Sequence, residues 1–278
     1  FSCDLFHITN GSQMVILSSH HAVVDLVSWR IIWNDIEDYL SGGKLLSEPT
    51  ASFRSWVRRQ ARVSSKASPF SVLPYSIPAP DLDFWGLPLS ENTFSNCDAY
   101  NETFPADVTA LLFGDANECL RTEPIDIIIG VMVYAFVQIF PERDAPVVWI
   151  EGHGREQSDE LPLDVSSTVG WFTTLHPRPI PINLQSSVLE AIRLAKDRRR
   201  QIPGKGQPYF ACRYHSESGR EEFQGQDTTE VTLNFTGRYQ QLEGDEGLFR
   251  RPEYLGHEQR DIAEVSGSAR RFTMVEIN

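Results

Sequence analysis

An α/β fold is what this sequence predicts, on three observations. Apolar residues recur at helical spacing in several long windows, as at Leu26, Trp29, Ile32, Trp33, Ile36 and Leu40. Short β-leaning runs such as Val147 to Ile150 and Glu230 to Asn234 lie between those windows rather than apart from them. The chain has 278 residues, 41% of them hydrophobic, enough for one large domain or two lobes with a real apolar core.

In chain order, Asp4 to Thr9 and Met14 to Leu17 flank Asn10-Gly11, a dipeptide suited to the positive φ values of a type I′ turn, so a β-hairpin is expected. Its second strand runs through Ser18-Ser19 into His20-His21, and a helix follows up to the stop at Gly42-Gly43. Ser52 to Lys66 reads as a helix carrying Arg54, Arg58, Arg59 and Arg62, with Phe53, Trp56 and Val57 interleaved. The proline-rich stretch from Ser68 to Pro88 is irregular and suggests a boundary between lobes near residue 95, giving 1–95 and 96–278.

Beyond it, Pro105 to Leu120 and Thr122 to Phe140 read as two core-forming helices, the second capped by Thr122 with Pro124 in its first turn. Val147 to Ile150 and Thr168 to Thr174 read as strands, the latter with a proline-rich exit. Ser186 to Arg200 is an amphipathic helix whose C-terminal arginines, Arg198, Arg199 and Arg200, complement the macrodipole. Glu230 to Asn234 is a further strand, and Asp261 to Ile277 is expected to be strand-rich.

The formal net charge is -13, and such a surface repels phosphate backbones and anionic headgroups, which argues against nucleic-acid and membrane roles. The longest apolar stretch, Ile125 to Phe140, is interrupted by Asp126, Gly130 and Gln138 and is shorter than the roughly 20 residues of a bilayer span. Cys3, Cys97, Cys119 and Cys212 are scattered without metal-ligand spacing, so no disulfide framework or metal site is indicated and a reducing cytoplasmic setting fits. The chain opens at Phe1 without an initiator Met and stops at Asn278 inside a strand-like run, so it reads as a piece of a longer polypeptide.

The chemistry-bearing stretch is His20-His21-Ala22-Val23-Val24-Asp25, two histidines and an acid at a helix start. Alone, it reads more readily as a satisfied histidine pair followed by a capping Asp. Glu151-Gly152-His153-Gly154-Arg155-Glu156, Thr168-Val169-Gly170-Trp171-Phe172-Thr173, Pro208-Tyr209-Phe210 and Leu233-Asn234-Phe235-Thr236-Gly237-Arg238-Tyr239 follow in order. Together these segments resemble the HHxxxD, EGHGRE, VGWFT, PYF and FNYLGRY motifs of nonribosomal peptide synthetase epimerization domains, in the condensation superfamily. The Leu26-Val27-Ser28-Trp29-Arg30-Ile31 continuation resembles the epimerization branch, where condensing domains more usually have Gly after the Asp. One departure is Phe235, where the family commonly has Tyr.

The resemblance implies a two-lobed fold like that of chloramphenicol acetyltransferase, truncated at both ends, with an incomplete N-terminal lobe. It implies epimerization of an aminoacyl or peptidyl thioester on the 4′-phosphopantetheine arm of a peptidyl carrier protein, with no directly bound cofactor and with adenylation and condensation domains as neighbours. His21 and Glu151 would be the acid–base pair, facing each other where the lobes meet. From the local sequence alone, Glu151 is as well read as a solvated carboxylate at a strand end. Asn234 is either a thioester-positioning group or an ordinary strand-end polar residue. His20 is expected to shape the loop and Asp25 to be structural, with Arg155 as its partner. Gly152 and Gly154 would leave room for the pantetheine arm, and Trp171 and Phe235 would border the channel, although Trp29 and Trp171 read more readily as core. Arg58, Arg62, Arg198, Arg199 and Lys205 are solvated faces or a docking patch for an acidic carrier. The alternatives are a condensation domain, which needs no opposing glutamate, and a degenerate carrier-binding domain.

Overall fold

A computed structural model of the chain describes residues 1–9, 11–45, 48, 50–65, 67–155, 162–237, 248–250 and 265–278. The chain divides into two compact units, each assembled from separate stretches: Phe1–Gln60, His153–Thr173 and Arg238–Gly256 in the first, Ala61–Gly152, Thr174–Gly237 and His257–Asn278 in the second. Residue 95 lies within the second unit.

The first unit opens on a hairpin, β1 (Ser2–His7) against β2 (Gln13–Ser18), antiparallel with His7 opposite Gln13. The link is longer than a two-residue type I′ turn, because Ile8 still donates to the Ser12 carbonyl and Gly11, at φ +86, closes the bend onto Ile8. Asn10 lies outside the described residues. Helix α1 (Leu26–Gly42) ends as its glycines demand, with Gly43 at φ 70 donating to the Tyr39 carbonyl. Helix α2 (Phe53–Ser64) follows. Its basic residues do not share one face: Arg54, Arg58 and Arg62, spaced by four, are exposed, while Arg59 turns inward. Lys66 lies outside the described residues.

In the second unit, α3 (Pro69–Val72) is a single turn in the otherwise irregular proline-rich stretch. The helix expected from Pro105 to Leu120 is broken at Gly114 into α4 (Ala106–Phe113) and α5 (Asp115–Leu120), and neither buries a residue. That corrects the expectation that both helices of this region form core. The core helix is α6 (Pro124–Ile139), which buries Ile129, Val133 and Val137. Its N-cap is Glu123 rather than Thr122, with the Asp126 carboxylate accepting from the Glu123 N–H at 3.0 Å; the Thr122 hydroxyl instead donates to Asn117. No single described helix is long and apolar enough to cross a membrane; α4–α5 and α6 meet that test only as a pair bent by 93°.

Strand β3 (Val148–Gly152) is followed by β4 (Thr174–Arg178), so the strand expected over Thr168 to Thr174 lies instead in the proline-rich exit. The reason is position: in the sheet order β4-β3-β5-β6, β4 is an edge, where Pro177 needs no ladder donor. Helix α7 (Val188–Gln201) is capped by Ser187, whose hydroxyl accepts from Glu190, and α8 (Gln207–His215) and α9 (Glu217–Glu222) lead to β5 (Thr229–Leu233) and β6 (Thr273–Ile277). β6 is the described strand of the stretch expected to be strand-rich; residues 261–264 lie outside the described set. β3, β5 and β6 are mutually parallel, with Ile150 aligned to Leu233 and Leu233 to Ile277. One face of the sheet, with Val148, Ile150, Val231 and Leu233, packs on α6 and α7; the other, with Val147 and Trp149, packs on Tyr209 and Cys212 of α8.

Helices α6 and α7 touch backbone to backbone at Gly130, where an added β-carbon would stand 2.6 Å from the Ile192 Cα. Gly130→Ala is therefore expected to cost about 1–3 kcal/mol by overpacking, despite alanine's better helix propensity, as read by urea unfolding. A second expectation concerns His176 on β4, whose ring nitrogens have no hydrogen-bond partner among the described residues and whose pKa is pushed down to about 3 by burial, with the Arg178 charge adding to the effect. The unfolded chain takes up this proton near the ordinary 6.5. Stability is thus fully present above that value and falls by about 1.4 kcal/mol per pH unit as pH drops through the window down to about 3. His176→Phe is expected to remove this part of the acid sensitivity; an unchanged stability slope between pH 6 and 4 would count against it.

Candidate active site

Both histidines of the first unit's loop are held by backbone groups that dictate their tautomers. His20 caps a 3-10 turn, His21–Val23, and its Nδ1 accepts from the Ala22 N–H at 3.1 Å, which leaves the ring proton on Nε2. His21 does the reverse. Its Nδ1 lies 2.9 Å from the Val24 carbonyl oxygen, which can only accept, so Nδ1 carries the proton and Nε2 of the neutral ring is the basic atom. Both residues are exposed.

Asp25 is the N-cap of α1, its Oδ1 accepting from the Ser28 N–H at 2.7 Å. It also accepts from the guanidinium of Arg155 at 2.9 and 3.1 Å and, through Oδ2, from the Phe172 N–H at 3.1 Å. The partnership expected of Asp25 and Arg155 is formed, with both side chains about 95% buried by their 5% and 6% exposures. Arg155 also donates to the Thr168 carbonyl at 3.0 Å and to the Ser28 hydroxyl at 2.9 Å, and it lies 3.9 Å over the Phe172 ring. Burial draws its pKa below the usual arginine range, and the charge and hydrogen bond of Asp25 oppose that. Residues from three separate sequence segments thus meet on one carboxylate.

The aromatic core of this unit is Trp56, Phe53 and Phe172, stacked edge to face at 5.0 Å centroid separations from Phe172. Trp171, read as core, is 36% exposed and Trp29 is half-buried; Phe172, at 0%, takes the interior place against Phe53 and Trp56, with its N–H donating to Asp25. Gly154 sits at φ +61, which favours glycine, and its carbonyl accepts from the Trp56 indole at 3.1 Å. Ser28, Phe172 and Trp56 were not legible as site residues. The signal available for Ser28 was a small polar residue within an apolar helix start.

In the second unit, Glu151 is half-buried at the C-terminal end of β3. Because Ile150 and Leu233 are aligned, Glu151 follows on β3 and Asn234 follows just past the end of the adjacent parallel strand β5. The Asn234 N–H is fixed on the Ile277 carbonyl at 2.8 Å. Gly152 has the Thr174 hydroxyl only 2.9 Å from where a β-carbon would stand, and Phe235 stacks on Phe113. Glu156, Arg238 and Tyr239 lie outside the described residues. Among the proposed docking residues, Arg199 is bound to Asp126 at 2.8 Å and to Glu123 at 2.6 Å, and Arg198 lies over the Tyr75 ring. Among the described residues no group of three or more His, Cys, Asp or Glu is placed to hold a metal ion.

Asp25→Asn leaves the Arg155 guanidinium buried without its counter-charge. The expected loss is about 3–5 kcal/mol, measurable by urea unfolding, and a loss under 1 kcal/mol would show the pair to be dispensable.

No protein-family model matches the chain. Over 253 residues and 90% of its length it is 39% identical to nonribosomal peptide synthetase 5 of Gibberella zeae, and along its whole length 38% identical to the malformin synthetase of Aspergillus sclerotiicarbonarius. It spans only 2% and 6% of those relatives. Among solved structures, the epimerization domain from the third module of tyrocidine synthetase B matches 84% of the chain and 56% of its own, with a TM-score of 0.67 and 23% identity. The first condensation domain of the CDA synthetase matches 85% of the chain and 51% of its own, at 0.53 and 15%. Both likenesses carry the two-lobed fold of chloramphenicol acetyltransferase. The chain therefore has the fold of those two domains, and along its length it is similar in sequence to short stretches of nonribosomal peptide synthetases.

Proposed function

We propose that the chain is part of an epimerization domain that inverts the α-carbon of an aminoacyl or peptidyl thioester carried on the 4′-phosphopantetheine arm of a peptidyl carrier protein. One observation carries the reading: the chain offers two acid–base groups rather than one, the His21 imidazole with Nε2 left basic and the Glu151 carboxyl at the end of β3. Forming a peptide bond calls for a base near an attacking amine and no second carboxyl. Inversion calls for two groups, because the α-proton must leave one side of a planar enolate and a new proton must arrive on the other. The likeness to the tyrocidine synthetase B epimerization domain supports the same choice.

In this reading one member of the His21–Glu151 pair takes the α-proton, the electron pair of the C–H bond moves into the enolate, and the other member returns a proton to carbon. Positioned acid–base catalysis of this kind contributes about 10²–10⁴-fold. Asn234, just past the end of β5, is assigned to the thioester oxygen, where a donor to a developing oxyanion is worth about 3–4 kcal/mol. His20, Asp25 and Arg155 hold the loop. The exposed arginines Arg58 and Arg62 form the steering surface for an acidic carrier, on a chain whose net charge of -13 otherwise repels one. Adenylation and condensation domains of the same synthetase would supply and consume the carrier-bound substrate.

The test loads an L-aminoacyl carrier, adds the full-length domain in deuterated solvent, and follows both α-proton exchange and the D/L ratio. His21→Ala and Glu151→Gln are each expected to slow inversion by about 10²–10⁴-fold. Exchange that persists in both variants overturns the assignment of the pair. Peptide bond formation without inversion selects a condensation domain instead.

A further inference from the structure

We propose that Ser28 is a positioning residue for His21, acting through the backbone of Gly170. Ser28 is fully buried in the first turn of α1, and only its backbone N–H is needed by the cap, so the hydroxyl is available for tertiary bonds. A hydroxyl has one proton and two lone pairs, and here all three are used. It donates to the Gly170 carbonyl at 2.9 Å, accepts from the Gly170 N–H at 3.0 Å and accepts from Arg155 at 2.9 Å. Gly170 can come this close because it has no side chain: a β-carbon there would stand 2.5 Å from the Phe53 ring.

The link to His21 is a single peptide plane. The Gly170 carbonyl accepts a second bond, from the Asp25 N–H at 3.3 Å. That N–H and the Val24 carbonyl belong to the same rigid amide, so fixing one direction fixes the other. The Val24 carbonyl is the group that accepts from His21 Nδ1 at 2.9 Å. Ser28 therefore sets Gly170, Gly170 sets the Val24–Asp25 plane, and that plane holds the imidazole with Nε2 unprotonated. Removing the hydroxyl at a site closed to water leaves the Gly170 N–H and one Arg155 N–H without an acceptor, and the loop must shift to satisfy them.

The activity arm of the test rests on the epimerase reading; the spectroscopic arm does not. The full-length domain is labelled with ¹⁵N-histidine, and the tautomer of His21 is read from long-range ¹H–¹⁵N couplings, its signals assigned by their loss in His21→Ala. The native protein is expected to show the Nδ1–H form, and Ser28→Ala a mixture in which the Nε2–H form is prominent. In the activity arm, Ser28→Ala is expected to lower kcat for α-proton exchange by about 10- to 100-fold, with KM within about twofold and the acidic limb of the pH profile displaced. If Ser28→Ala does not fold, the decision passes to Ser28→Cys, which keeps a weak donor and acceptor and is expected to show a smaller tautomer shift. A native-like His21 tautomer in the folded variant overturns the proposal, whatever happens to activity. Absence of exchange in the unmodified domain sinks the epimerase reading alone, because the tautomer comparison still decides the role of Ser28.

Discussion

A carboxylate and a guanidinium taken out of water together, Asp25 and Arg155, are the constraint on which the described site depends. Desolvating two charges is costly, and hydrogen bonds to their polar atoms offset the cost, although Arg155 Nε finds no partner among the described residues. Here the partners are backbone groups of the α1 start and of residues 165–172, so the electrostatic demand of one ion pair dictates the path of two loops. The pair binds no substrate in the proposed reaction; it makes the histidine loop a fixed object.

The consequence is that the His21 ring is held at one remove. His21 is exposed and could rotate, yet its Nδ1 is tied to a carbonyl whose plane is anchored in the buried network. In the second unit the logic differs, because Glu151 and Asn234 owe their places to strand register rather than to an ion network. Parallel strands put both at the carboxyl end of the sheet, where α/β proteins present functional groups. The glycines beside them serve local needs: Gly152 yields to the Thr174 hydroxyl, and Gly154 supplies a left-handed backbone beneath Trp56.

Much of this was legible before any coordinates. The hairpin, α1 with its Gly43 stop, α7 with its serine cap and β3 follow from periodicity and capping chemistry, which are local. The misreadings are also instructive. Gly114 breaks a helix whose apolar spacing runs straight across it, and the apolar residues of α4 and α5 are at most half-buried. The strand expected at Thr168 to Thr174 lies one segment later, because Pro177 is tolerated at a sheet edge and only the strand order reveals that β4 is an edge. Arg59 has the charge of its neighbours on α2 but not their exposure, a difference of helical phase and surroundings that composition does not encode.

For the site, His21, Asp25, Glu151 and Asn234 came forward as candidates through the order of the motifs they sit in, since residue types beside helix starts and strand ends are visible in one dimension. The partner of Asp25 was reachable by the same route, because a buried acid needs a cation. What only the folded chain decided is which groups far apart in sequence share a hydrogen bond: Ser28 with Gly170, Asp25 with Phe172, Trp56 with Gly154. Periodicity and capping are set by neighbours along the chain, whereas satisfying a buried polar atom depends on which backbone groups arrive beside it in space. That is why the sequence could put forward candidate groups, and only the tertiary structure assigned the proton on His21 to Nδ1.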